Sequence, residues 1–295
     1  MGSTDGLYGF GAAGRRAFDG HEVTALAREA ARAWALVDGR AVWRSRPDGA
    51  WEEVARLEAG PATCLAATAP GLLVGTAGAH LFRLDDGRLR RVEAFERVEG
   101  RRAWHTPWGD PPDTRSISAD AGSAVYVNVH VGGVARSTDG GRSWHPTLDI
   151  EADVHQVLCH PRREGFVLAA AAVGLGISDD GGRSWRFETA GLHARYLRAV
   201  AVAGEYLLVS ASTGPGGKRA AIYRKRFGSD GPFERCRQGL PEWFPSNVDT
   251  GCLAASGMTV AVGTDEGLVF LSADAGASWE LLAKDLPPVQ GLVLA

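Results

Sequence analysis

The chain has 295 residues, 45% hydrophobic and 23% charged, with a net charge of −3 from 32 basic and 35 acidic side chains. That is the composition of a globular protein able to bury a full core. It leaves no electrostatic footprint for nucleic acid or an anionic membrane surface, and no apolar run approaches the roughly 18–20 residues needed to cross a bilayer.

The first residues, Met1-Gly-Ser-Thr-Asp-Gly6, lack a basic start followed by an apolar run, so no secretory signal is expected. The 39 glycines are spread evenly along the chain, which predicts many tight turns between short strands. A head segment, Leu7–Phe18, reads as later strands of a unit whose first strand is missing. Units of similar length then follow at 21–60, 61–100, 101–152, 153–192, 193–245 and 246–286, each with several apolar runs of strand length. The tail, Val289–Leu294, reads as a first strand with nothing after it. Cys64, Cys159, Cys236 and Cys252 lie far apart in apolar stretches, which predicts buried free thiols and a cytoplasmic location.

Three of the units carry the same pattern, Ser-x-Asp-x-Gly-x-x-Trp, starting at Ser137, Ser178 and Ser272. The second gap is a little over twice the first, so an eroded copy belongs between them, and Ser229-Asp230-Gly231 occupies that place. Further eroded copies stand at Asp48-Gly49 and Asp86-Gly87. The chemistry explains the spacing: Asp accepts from backbone N–H groups further along, Gly supplies a positive φ, Ser bonds locally, and Trp starts the next strand.

The pattern resembles the Asp-box of the sialidase-like, BNR-repeat propellers. That resemblance implies a β-propeller of four-stranded antiparallel blades with each box in the hairpin between third and fourth strands. Head and tail together would make a seventh blade that closes the ring, so the expectation is one seven-bladed propeller over residues 1–295; six blades with a loose N-terminal arm is the alternative. The box aspartates are then structural turn-formers.

On that topology His21, His80, His105, His130, His155 and His193 fall on the face away from the boxes, where Asp153, Asn247 and Arg115 also lie. His155 and His193 are expected nearest the axis. Neutral imidazoles from neighbouring blades suit a divalent transition metal such as Zn, Fe, Ni or Cu. The predicted ligands are His130, His155 and His193, with Asp249 or His105 as additions. Glu242, Arg195 and Tyr196 are the candidate catalytic side chains. The insertion 101–113, with Trp104 and Trp108 among prolines, predicts an aromatic wall, and the basic loop Ser212–Arg219 could hold an anion.

Three functions stay open. One is a metal-dependent enzyme acting on a small molecule in the central funnel. A second is a non-catalytic platform for a ligand or peptide. The third, implied by the resemblance, is a sialidase-like glycoside hydrolase, but that family's Arg-Ile-Pro segment is absent and no Tyr–Glu pair can be matched to it.

Overall fold

The computed structural model describes residues 1–10, 14–106 and 108–294; Gly11, Ala12 and Ala13 of the head segment, Pro107 of the aromatic insertion and Ala295 lie outside the described residues. Seven four-stranded antiparallel sheets make the ring. Blades one and two span 23–56 and 62–91. Blade three is Thr114–Ala119, Val125–Val129, Gly133–Ser137 and His145–Leu148. Blade four is Val154–Cys159, Val167–Ala171, Gly174–Ser178 and Arg186–Glu188. Blade five is Tyr196–Ala203, Tyr206–Ser212, Ala221–Arg226 and Glu234–Arg235, and blade six spans 253–283.

Blade seven is the composite one. Its inner strand, Val289–Gly291, pairs with Gly2–Ser3, followed outward by Gly6–Tyr8 and Arg16–Ala17. The head therefore contributes three strands beginning at Gly2, earlier than the sequence pattern suggested, because small polar residues at its start hide the strand. Among the described residues the only helices are single 3₁₀ turns, and none is long and apolar enough to cross a membrane.

The apolar runs become strands because both faces of each blade are covered. Val125–Val129 and Val167–Ala171 are buried throughout, as expected for strands packed on two sides. Leu168, Leu175 and Ile177 of blade four pack on Leu197, Val200 and Val209 of blade five in one cluster. Buried polar groups stitch the same seams. Asn128 Nδ2 donates to Val154 O at 2.6 Å, and Ser210 Oγ donates to Val248 O at 2.8 Å, each from a second strand to the next blade.

The three full repeats form the turns expected of them, between third and fourth strands. In the first, Asp139 Oδ1 accepts from the backbone N–H groups of Arg142 and Ser143, both at 2.9 Å, and Ser137 Oγ accepts from Gly141 N. Trp144 folds back so that its Nε1 donates to Gly141 O at 3.2 Å, and Trp279 does the same to Gly276 O. The eroded copies keep single fragments of this network, such as Ala50 N to Asp48 Oδ1 and Gly231 N to Ser229 Oγ.

Two predictions follow from these seams and turns. Val289 is 2% exposed inside the closing blade, so Val289→Asp, which buries an unpaired charge, should lower unfolding free energy by at least about 3 kcal/mol in urea titration; an unchanged midpoint would mean the ring does not depend on this strand. Hydrogen bonds from Ser278 hold the Asp274 carboxyl down at about 2. A depressed carboxylate stabilises the fold above its unfolded value, near about 4, and that contribution is lost as pH falls through the folded value. The stability gap between the wild type and Asp274→Asn should therefore be widest at neutral pH and close in acid.

Candidate functional site

Six inner strands carry a register shift, at Val23/Ala25, Ala62/Cys64, Thr114/Ser116, Val154/Gln156, Leu197/Val200 and Val289/Gly291. A bulge inserts an extra residue and re-aims its side chain. The inserted positions hold Thr24, Thr63, Arg115, His155, Arg198–Ala199 and Gln290. These bulges lie on the face away from the repeat turns, and they set the chemistry of that face.

In blade four the bulge turns His155 away from the channel and into the seam with blade five. It is fully buried, and its Nδ1 lies 2.6 Å from Leu197 O. A carbonyl only accepts, so Nδ1 carries the proton. Burial holds the imidazole pKa below its ordinary value, so the ring is neutral and Nε2 presents a lone pair. That lone pair faces Asp153 Oδ2 at 3.6 Å. Asp153 is held in the left-handed region at φ 47, a conformation Asp tolerates, where the 3₁₀ turn Ile150–Ala152 ends. Burial pushes its carboxyl up, and only an N–H or a positive charge on the facing rings of His130 and His155 would outweigh that and bring it below the ordinary carboxylate range.

The third member comes from blade three. His130 closes the second strand, with its backbone N–H on Asp113 O at 2.9 Å and its Nε2 3.4 Å from Asp153 Oδ1. Val131, directly after it, has φ 43, an uncommon conformation for a β-branched residue. One ligand atom from each of His130, Asp153 and His155 lies within 4.8 Å of the other two. Asp153 Oδ1 and His155 Nε2 are closed to solvent and have no hydrogen-bond partner.

Aromatic rings flank the group. Tyr196 lies 4.7 Å from the His155 ring, and Trp108, 64% exposed on the insertion, lies 5.1 Å from His130. Burial raises the Tyr196 hydroxyl pKa, so it is a neutral donor. Arg115, in the bulge of blade three, makes no hydrogen bond or ion pair among the described residues and faces the channel, a cavity of about 630 Å³ also lined by Glu22, Asp113, Gln156 and Asp249. Thr250 Oγ1 lies 3.0 Å from both His155 O and Arg198 O, tying three blades at the axis.

The structure brings together some of the residues picked from sequence and separates others. His130 and His155 meet, but His155 is not the channel-facing residue; Gln156 lines the channel. His193 stands apart from them, on the outer rim, with Nδ1 2.8 Å from Tyr223 OH and its ring against Trp243. Asp249 is engaged by Arg198 Nη1 at 2.9 Å, and His105 is exposed with Nδ1 on Ala103 O. Of the three candidate catalytic side chains, Tyr196 borders the His–Asp group, Arg195 is exposed, and Glu242 lines the rim cavity with His193. Sequence reasoning passed over Asp153 as a ligand and missed Arg198. Asp153 stood two residues before His155 in the sequence, but it meets that ring through a left-handed turn and a bulge that no local pattern marks.

No protein-family model matches the chain, and no curated protein matches it in sequence. Among solved structures it is similar to an ancestral GH74 enzyme, at TM-score 0.63 and 17% identity over 88% of this chain and 38% of that one. It is also similar to YCF48 bound to D1 peptide, at TM-score 0.61 and 12% identity over 92% and 83%, and to the WD40 β-propeller domain of Doa1, at 0.64 and 14% over 94% and 84%. The chain spans less than half the length of the ancestral enzyme. The likeness is one of fold, and the class it defines is the seven-bladed β-propeller.

Thr250→Val removes the hydroxyl that joins the His155 and Arg198 carbonyls. It should cost about 1 kcal/mol of stability by urea unfolding, whereas an unchanged value would show that the axis is held without it.

Proposed function

We propose that the chain binds a divalent transition metal through His130, Asp153 and His155 and acts on a small molecule that enters the funnel beside it. The observation that carries this reading is the pair of solvent-closed atoms, Asp153 Oδ1 and His155 Nε2, with no donor. A neutral imidazole whose proton is committed to Leu197 O cannot donate to the carboxylate it faces. Two lone-pair atoms held together in a dry seam call for a cation between them.

His130 Nε2 lies 3.4 Å from Asp153 Oδ1 and His155 Nε2 lies 3.6 Å from Asp153 Oδ2, and one ligand atom from each residue lies within 4.8 Å of the other two; a bound ion would draw them to the roughly 3.3–3.6 Å that separates tetrahedral neighbours. Leu197 O, holding the distal nitrogen of His155, is the outer-shell partner expected of a ligating histidine. Imidazole and carboxylate together suit Zn, Fe, Ni or Cu. Three protein ligands leave a position for substrate, where such an ion supplies Lewis-acid or redox chemistry. Tyr196 and Trp108 would wall that position, and Arg115 would offer N–H donors to an oxygen of the bound molecule.

The three intact repeat turns support placing the chain among the Asp-box propellers, and the four buried free thiols favour a reducing, cytoplasmic setting. A glycoside hydrolase needs two carboxylates flanking one bond; Glu22, Asp113 and Asp249 do line the channel, and the metal reading is put ahead of that chemistry by the His–Asp group. A second reading, a platform gripping a peptide, is favoured by the exposed Trp108 on its proline-rich loop.

Elemental mass spectrometry of protein purified without a histidine tag tests the proposal. Near-stoichiometric transition metal is expected, lost in His155→Ala and Asp153→Ala and retained in His193→Ala. Added Cu²⁺ should also quench Trp108 fluorescence, with the loss absent in Trp108→Phe. Metal-free protein that takes up none of the four metals would sink the metal reading and leave the platform in front.

A further inference from the structure

The outer rim of blade five holds a second group that the metal reading does not use. Arg219, at the end of the basic loop between second and third strands, and Arg235, in the outermost strand, both lie against the Trp243 ring, their guanidinium carbons 4.5 and 3.8 Å from its centre. Arg237 lines the same cavity of about 660 Å³, with His193, Tyr223, Glu234 and Glu242. Among the described residues none of these three arginines forms an ion pair, although two glutamates border the same space.

Arg235 is the informative residue. Its Nε and Nη2 are closed to solvent and have no acceptor. That edge of the guanidinium is the one that meets two oxygens side by side. Leaving charged N–H groups without water or acceptor is costly, and native structures rarely do it without an ion or water to explain it. A modest turn of Arg235 on the indole face would carry the edge out into the cavity. Arg219 is at φ 56, left-handed for a residue that gains nothing from that conformation, and it stands where its fork borders the same space.

We propose that this rim cavity is a binding site for the phosphate group of a small ligand, held between Arg219, Arg235 and Arg237. One carboxylate would be saturated by a single guanidinium fork, whereas a phosphate presents enough oxygens for three. Trp243 keeps Arg219 and Arg235 in place by stacking, so the forks are organised before the anion arrives. His193, on Tyr223 OH, closes the inner side of the cavity as a neutral imidazole. The site is separate from the His130–Asp153–His155 group and does not depend on it.

Isothermal titration with inorganic phosphate at low ionic strength, against chloride at matched ionic strength and acetate as a carboxylate control, tests this. Saturable heat is expected with phosphate, weakened about tenfold or more in Arg235→Gln and in Arg219→Gln, and unchanged in His155→Ala. Arg219 is exposed, so its variant should fold as the parent does even if Arg235→Gln is destabilised. Phosphate bound equally well by both arginine variants, or binding lost instead in Arg163→Gln on the opposite face, would overturn the proposal. So would the absence of saturable heat at millimolar phosphate, or acetate binding as tightly as phosphate.

Discussion

Everything in this molecule depends on blades packing face to face. No blade can bury its own apolar surfaces: Leu168 and Ile177 need Leu197 and Val209 across the seam, as Tyr126 and Val134 need Val157 and Val167. A sheet that must be covered on both faces needs two neighbours, and a row of such sheets has exposed ends unless it closes on itself. The pairing of Val289–Gly291 with Gly2–Ser3 supplies that closure. The short inner strand is thus worth far more than its three residues would bury alone.

Closure forces polar chemistry to specific places. The seams are largely apolar, and neutral polar side chains such as Asn128, His155 and Ser210 enter them only against a backbone carbonyl, so charged side chains gather where loops converge at the axis or spread along the rim. At the axis the bulges decide what faces what. Without the shift between Val154 and Gln156, strict alternation would govern the direction of His155, and its ring would not be free to reach Leu197 O. The cost of that reach is a lone pair trapped beside a carboxylate, which the left-handed backbone at Asp153 brings to it. Asn128, bonded to Val154 O, fixes the strand one residue before.

The fold was legible because its signals are local and repeated. The Ser-x-Asp-x-Gly-x-x-Trp spacing and the orphan strand at Val289 required no knowledge of distant contacts, and together they implied the ring and its closure. The face on which His130, His155 and His193 lie was legible for the same reason. Their distances from the axis were not. A bulge adds one residue without marking it, so His155 could not be separated from Gln156 by pattern, and His193 sits in a connection long enough to carry it out to Trp243. Asp153 was visible as a polar residue at the mouth, but nothing local set it apart from Asp249, which Arg198 engages in a contact across 51 positions. Head residues before Leu7 were unreadable as strand because Gly2 and Ser3 carry no apolar signal.

The repeat turns distribute their hydrogen bonds in two tiers. Each closes its carboxylate and hydroxyl bonds within eight residues or so, while its backbone takes partners from further off, as where Tyr126 OH donates to Gly181 O from the preceding blade. The carboxylate bonds of one turn are therefore independent of those of the next. The carboxylate networks stand at Asp139, Asp180 and Asp274, although Trp185 Nε1 of the second turn has no partner, and only a remnant stands at Asp48. A ring built this way holds some of its hairpins far more firmly than others, while the packing of the seams is common to every blade.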